Sequence, residues 1–233
     1  MSAEEISDFL GKNVITDGET VEILQNRGFD LGVRLRPLSS LECLSSNEHF
    51  TDHPVNSVGA ESFTSTIFSR GSSKYYAITD IPENSEVLGY YDGDPSAYTD
   101  VIIPVQGGAR WAVIGHALWK HIVPSHQRDR IINMLDYIAP TALASRLISP
   151  VQAFVLSRVD KISGKTLAVS LLNCTIEPQS QIKVLIRNPE AKAFTYVSQY
   201  DGETPLHFEE TADGFLVTIP KLSPWSLGTV FCC

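Results

Sequence analysis

The chain has 233 residues, enough for one large or two modest domains with real apolar cores. A net charge of -9 argues against a nucleic-acid partner, which needs a basic surface, and no run of about 18 apolar residues exists to cross a membrane as a helix. The acidic start Met1-Ser2-Ala3-Glu4-Glu5 lacks the basic and apolar regions of a signal peptide.

Ser2 with Glu5 has the form of a capping box, and Ile6, Phe9 and Leu10 follow at helical spacing before Gly11. Val14-Ile15 leads to Asp17, a cap for a second helix that buries Val21, Leu24 and Ile23, with Gly28 ending it in the left-handed region. Residues 37–60 are polar and read as a long irregular loop. Strands are predicted over 62–69, 74–81, 86–91, 100–105 and 110–115, with Gly107-Gly108 as a hairpin turn. Ser125 is placed to cap a helix with Ile131, Ile132, Leu135 and Ile138 on one face, ending at Pro140.

Beyond a linker at 142–150 the rhythm changes. Strands are expected over 153–159, 165–173, 181–187, 193–199, 204–209, 214–219 and 226–231. Turns fall at Ser163-Gly164, Glu177-Pro178, Asn188-Pro189, Asp201-Gly202 and Asp213-Gly214. That spacing predicts an antiparallel β-sandwich. The plan is therefore an α/β domain over 1–145 and an all-β sandwich over 150–233. Charge divides the same way: residues 1–150 carry 11 Lys+Arg against 19 Asp+Glu, or -8, and residues 151–233 carry 7 against 8, or -1.

No nucleophile elbow, P-loop or dinucleotide fingerprint is present, and no cofactor is implied. Cys43 sits in Leu41-Glu42-Cys43-Leu44-Ser45 without the flanking glycine of a cysteine nucleophile. Cys43, Cys174, Cys232 and Cys233 lack zinc or redox spacing, so free thiols in a reducing, cytoplasmic setting are expected. Vicinal Cys232 and Cys233 would close a strained ring. His49 and His53, beside Glu48, have the i, i+4 spacing of a metal pair, but Pro54 disfavours helix there and a surface-loop pair is expected. Asp92-Gly93-Asp94-Pro95-Ser96 starts like a calcium loop with Asp100 ninth, then fails at Ala97 and Ile103, which leaves a turn. No metal site follows.

Gly115-His116-Ala117-Leu118-Trp119-Lys120-His121 leaves a buried strand for a loop. There Trp119 offers a face for a sugar and His116 and His121 offer hydrogen bonds; packing of Trp119 and solvation of the histidines is the competing reading. Glu209 and Glu210 point to opposite strand faces and cannot share one glycosidic bond. Pro224-Trp225 is expected to plug the bottom of the sandwich.

Four stretches together resemble a known arrangement: residues 13–29 (Asn13 to Phe29), Gly107 to Gly115, the Arg128–Tyr137 helix and the tail from Gly214 to Trp225. They are similar to the amidotransferase-like trimerisation domain, and the small β-domain after it, of bacterial β-galactosidase-type glycoside hydrolases. The resemblance implies a partial flavodoxin- or amidotransferase-like α/β fold that lacks its first strands. It implies no catalytic residue, because that family keeps its acid and nucleophile on an upstream barrel. The expected role is a non-catalytic accessory and assembly region, whose partner is a second copy or the missing catalytic barrel. A carbohydrate-binding module and a stand-alone hydrolase are the alternatives.

Overall fold

Ser2 accepts from the Glu5 amide while Glu5 reaches back to the Ser2 amide, and this reciprocal cap starts α1 (Ala3–Leu10). The computed structural model describes residues 2–39, 41–42, 46–56, 63–65, 74–118, 125–140, 142–190 and 192–233. It divides the chain into two units, Met1–Pro140 and Thr141–Cys233.

In the first unit, β1 (Val14–Asp17) runs into α2 (Gly18–Asn26), capped by Asp17 Oδ1 accepting from the Thr20 amide at 2.9 Å. Then come β2 (Arg34–Pro37), β3 (Asn47–Phe50), β4 (Phe63–Ser65), β5 (Tyr76–Asp80) and β6 (Glu86–Tyr91). The unit closes with β7 (Asp94–Pro104), β8 (Arg110–Ile114) and α3 (Ser125–Ile138). The sheet runs β1-β8-β7-β6-β3-β4, and β5 attaches to β7 with β2 outside it. Apolar residues alternate across β7 and β8. Val101, Ile103, Trp111 and Val113 face a core shared with Ile6, Val21 and Leu24 of α1 and α2. Ile102, Ala112 and Ile114 face the other way, against Met134 and Ile138 of α3.

This arrangement corrects the expected α/β fold. A flavodoxin- or amidotransferase-like domain is a parallel sheet built from helical crossovers. Among the described strands of this unit only β1 and β8 pair in parallel; the other ladders are antiparallel. Among the described residues 48% lie in strands against 17% in helices. Tight turns replace crossovers: Gly93 (φ 75°) joins β6 to β7, and a short 3-10 turn, Gln106–Gly108, joins β7 to β8.

The second unit has two antiparallel sheets. One is β10-β11-β17-β13-β14, from β10 (Ala153–Val159), β11 (Thr166–Asn173), β13 (Phe194–Ser198), β14 (Gly202–Pro205) and β17 (Leu227–Cys232). The other is β15-β16-β12-β9, from β9 (Ser145–Leu147), β12 (Gln179–Ile186), β15 (Phe208–Thr211) and β16 (Gly214–Leu222). Inward residues of both, including Val169, Leu171, Val184, Tyr196, Val217 and Val230, make one core. The strand predicted over 204–209 is two strands, one in each sheet. Trp225 does not plug this unit: it is 66% exposed, at φ 51°.

Candidate functional site

The densest polar chemistry lies under α3. Arg130, Met134 and Ile138 recur every four residues and are all buried, so the face of α3 turned to the sheet begins with an arginine. Its guanidinium meets Glu48 of β3 (Nη1 to Oε1, 2.8 Å) and Asp100 of β7, donates a third bond from Nε to Asn56 Oδ1 at 2.9 Å, and lies 4.3 Å from the centre of the Phe50 ring. The Thr99 hydroxyl sits between the two carboxylates, 3.1 Å from Glu48 Oε1.

Side chains of Arg130 and Asp100 are 0% exposed. Burial pushes the Asp100 carboxyl up to about 8; Arg130 opposes the rise and the negative charge of Glu48 adds to it. Charges this deep cost several kcal/mol to desolvate, about 3–5 kcal/mol of which reappears when one partner is removed. The network ties β3, β7 and α3 together.

A second cluster gathers on Glu86. Its Oε2 accepts from Tyr137 (2.7 Å) and from His53 Nε2 (2.8 Å), and Arg110 pairs with Oε1 while lying 4.4 Å above the Tyr137 ring. The Val55 amide donates to His53 Nδ1 at 3.2 Å, which turns the Nε2 hydrogen toward Glu86. Burial works to raise the Glu86 pKa, but Tyr137, His53 and Arg110 outweigh it and hold the carboxyl below its usual range.

His53 and His49 therefore part company. His49 pairs with Asp92 at the β6–β7 turn and stacks on Tyr90 at 5.6 Å between ring centres. His53 turns inward to Glu86 instead of forming a surface-loop pair. Among the described residues no group of three His, Cys, Asp or Glu is placed to hold a metal.

His116 is 4% exposed and stacks on Tyr75 at 5.4 Å, at the isolated bridge that joins the two residues. Trp119, His121 and Cys43 lie outside the described residues. Cys174, Cys232 and Cys233 are free thiols, and burial pushes Cys232 up to about 11. Glu209 and Glu210 are exposed. Sequence reasoning missed the Arg130 network. The available signals were an Asp100 set directly before the apolar run Val101-Ile102-Ile103 and an arginine in phase with Met134 and Ile138.

No protein-family profile matches the sequence. No curated protein matches it either. Among solved structures, the alpha-L-fucosidase isoenzyme 2 from Paenibacillus thiaminolyticus aligns over 100% of this chain and 39% of its own, with a TM-score of 0.64 and 11% identity. This likeness is one of fold. The chain spans 39% of the length of that protein, so most of the fucosidase has no counterpart here.

Proposed function

We propose that this chain is a non-catalytic accessory and assembly region of a glycoside hydrolase-like protein. One observation carries the reading: the acids that converge in the first unit, Glu48 and Asp100, are sealed and bound to Arg130. A glycosidase needs two carboxyl groups flanking a sugar, one ready to give a proton and the other free to attack or to activate water. These two share an arginine and have no route to a sugar. The fold likeness to part of a fucosidase supports the hydrolase connection. A brace held by a buried ionic network suits a region that shapes or assembles a larger enzyme.

Release of 4-nitrophenol from the α-L-fucoside and a panel of other aryl glycosides tests it. The expected result is no release above the blank. Turnover abolished by one substitution in this chain would overturn the reading. A sugar bound through His116, Trp119 and His121 must reach a ring that is nearly inaccessible at His116. Calorimetric titration with galactosides and xylo-oligosaccharides checks that alternative, and no heat at millimolar ligand removes it.

A further inference from the structure

The two sheets of the second unit have four terminal strands, and three of them are blunted. β9 is three residues long and carries Arg146; β14 reads Gly-Glu-Thr-Pro; β15 carries Glu209 and Glu210. β10 differs. It has seven residues, Ala-Phe-Val-Leu-Ser-Arg-Val, with no proline or lysine and a single charge. Among the described strands it pairs only with β11. Phe154 is 65% and Leu156 64% exposed.

The direction of its backbone groups follows from one bond. The Cys174 amide donates to the Gln152 carbonyl at 3.1 Å, in the register that sets Ala153 opposite Asn173. Even-numbered residues of β10 thus turn their backbone groups toward β11, up to the register shift at Arg158/Val159. Ala153, Val155 and Ser157 turn theirs toward the open side.

We propose that β10 pairs antiparallel with β10 of a second copy of this chain, about a two-fold axis at Leu156. The strand is complementary to itself in this register. Val155 and Ser157 exchange both backbone hydrogen bonds with the other copy. Leu156 meets Leu156, and Phe154 meets Arg158, at non-hydrogen-bonded positions where side chains come closest. The Arg158 side chain is exposed and has no hydrogen bond or ion pair among the described residues; an exposed aromatic ring directly opposite gives it a cation–π partner. No like charges face each other, and the -1 balance of residues 151–233 adds little repulsion. The interface is isologous, so it closes at two copies. It deepens the assembly reading and rests on it for its purpose.

Sedimentation of the full chain from about 1 µM to about 1 mM covers the affinities a small interface allows. The expected species is a dimer that dissociates on dilution. Phe154→Lys places a cation against Arg158 and should leave a monomer, whereas Phe154→Glu supplies an ion pair and should keep the dimer. In a background of Cys232→Ser and Cys233→Ser, Leu156→Cys should form an intermolecular disulfide on mild oxidation. Its Cα separation of about 4.5 Å at such a pair lies within disulfide reach. The background alone should not cross-link.

Wild-type protein that stays monomeric throughout overturns the proposal, whatever else β10 then binds. So does a dimer that responds equally to lysine and glutamate at 154 and fails to cross-link through 156. If Phe154→Lys does not fold, the glutamate variant and the cross-link still decide. Sedimentation and glycoside turnover are separate readouts, so a monomer without turnover removes the interface and leaves the non-catalytic reading standing.

Discussion

Arg130 and Asp100 face each other with neither side chain open to solvent, one from α3 and the other from β7. Arg130→Met keeps the apolar stem and removes the charge. Glu48 and Asp100 are then left together in a dry site. Unfolding by urea should show a loss of about 3–5 kcal/mol, the range for breaking a buried pair from one side. A variant within 1 kcal/mol of wild type (about one measurement error in a long extrapolation) would mean that the site admits water.

The same pair sets a pH dependence. The Asp100 carboxyl is raised to about 8 when folded and titrates near 3.9 when unfolded. A raised folded pKa contributes stability that is fully present below about 4 and lost as pH rises through about 8. Asp100→Asn keeps the shape and has no such titration. The stability of wild type relative to Asp100→Asn should therefore fall between pH 5 and pH 8 and level off by pH 9, measured as urea midpoints across that range. A difference that grows with pH would reverse the assigned direction.

Glu86 behaves in the opposite sense. Its folded pKa is depressed, so its contribution is present above the unfolded value and is lost as pH falls through the folded one. Tyr137→Phe removes one donor at 2.7 Å from a carboxylate that is about one-third exposed. The expected cost at pH 7 is about 1 kcal/mol, below the usual value for a charged hydrogen bond because water partly replaces it. The acid-unfolding midpoint, followed by circular dichroism, should move to higher pH than in wild type.

Local signals in the sequence were readable where one residue type has one use. Ser2 with Glu5 and Asp17 announced the starts of α1 and α2, Gly28 lies at φ 85° just past the α2 cap, and Gly93 turns β6 into β7. What composition hid was pairing. β3 (Asn47–Phe50) lies within a stretch that reads as loop because Asn47, Glu48 and His49 are polar. Their partners Asp92, Arg130 and Thr99 are 43–82 positions away and satisfy them only once folded. The parallel-sheet expectation failed for a related reason. Helices on both faces of a sheet suggest crossovers, yet α1, α2 and α3 cover a sheet in which β5, β6, β7 and β8 follow one another through short turns. The candidate site was less legible than the fold: an arginine beside Ile131 looks like the solvent edge of an amphipathic helix until its i+4 and i+8 neighbours are seen to be buried.

Gly115 marks the fork of the first sheet and makes a final test of that topology. One edge of β7 is shared by two strands, β8 along 100–104 and β5 at Tyr98. Gly115 bridges the change: its amide donates to the Thr99 carbonyl at 2.7 Å and its carbonyl accepts from the Tyr76 amide at 2.8 Å. A Cβ there would lie 2.2 Å from the Tyr76 carbonyl oxygen and 3.0 Å from that of Thr99. Both obstacles are backbone, so no rotamer change relieves them. Gly115→Ala should destabilise by about 1–3 kcal/mol, the cost of overpacking, and more if β5 detaches from β7. Gly93→Ala is the control: its Cβ meets nothing within 4 Å, so only the strain of φ 75° is added. Hydrogen exchange separates the two variants. In Gly115→Ala the amides of Tyr76 and Ile78 should lose protection ahead of those in β8, whereas Gly93→Ala should loosen only the β6–β7 turn. Equal protection at Tyr76 in wild type and Gly115→Ala would show that the fork does not depend on this close approach.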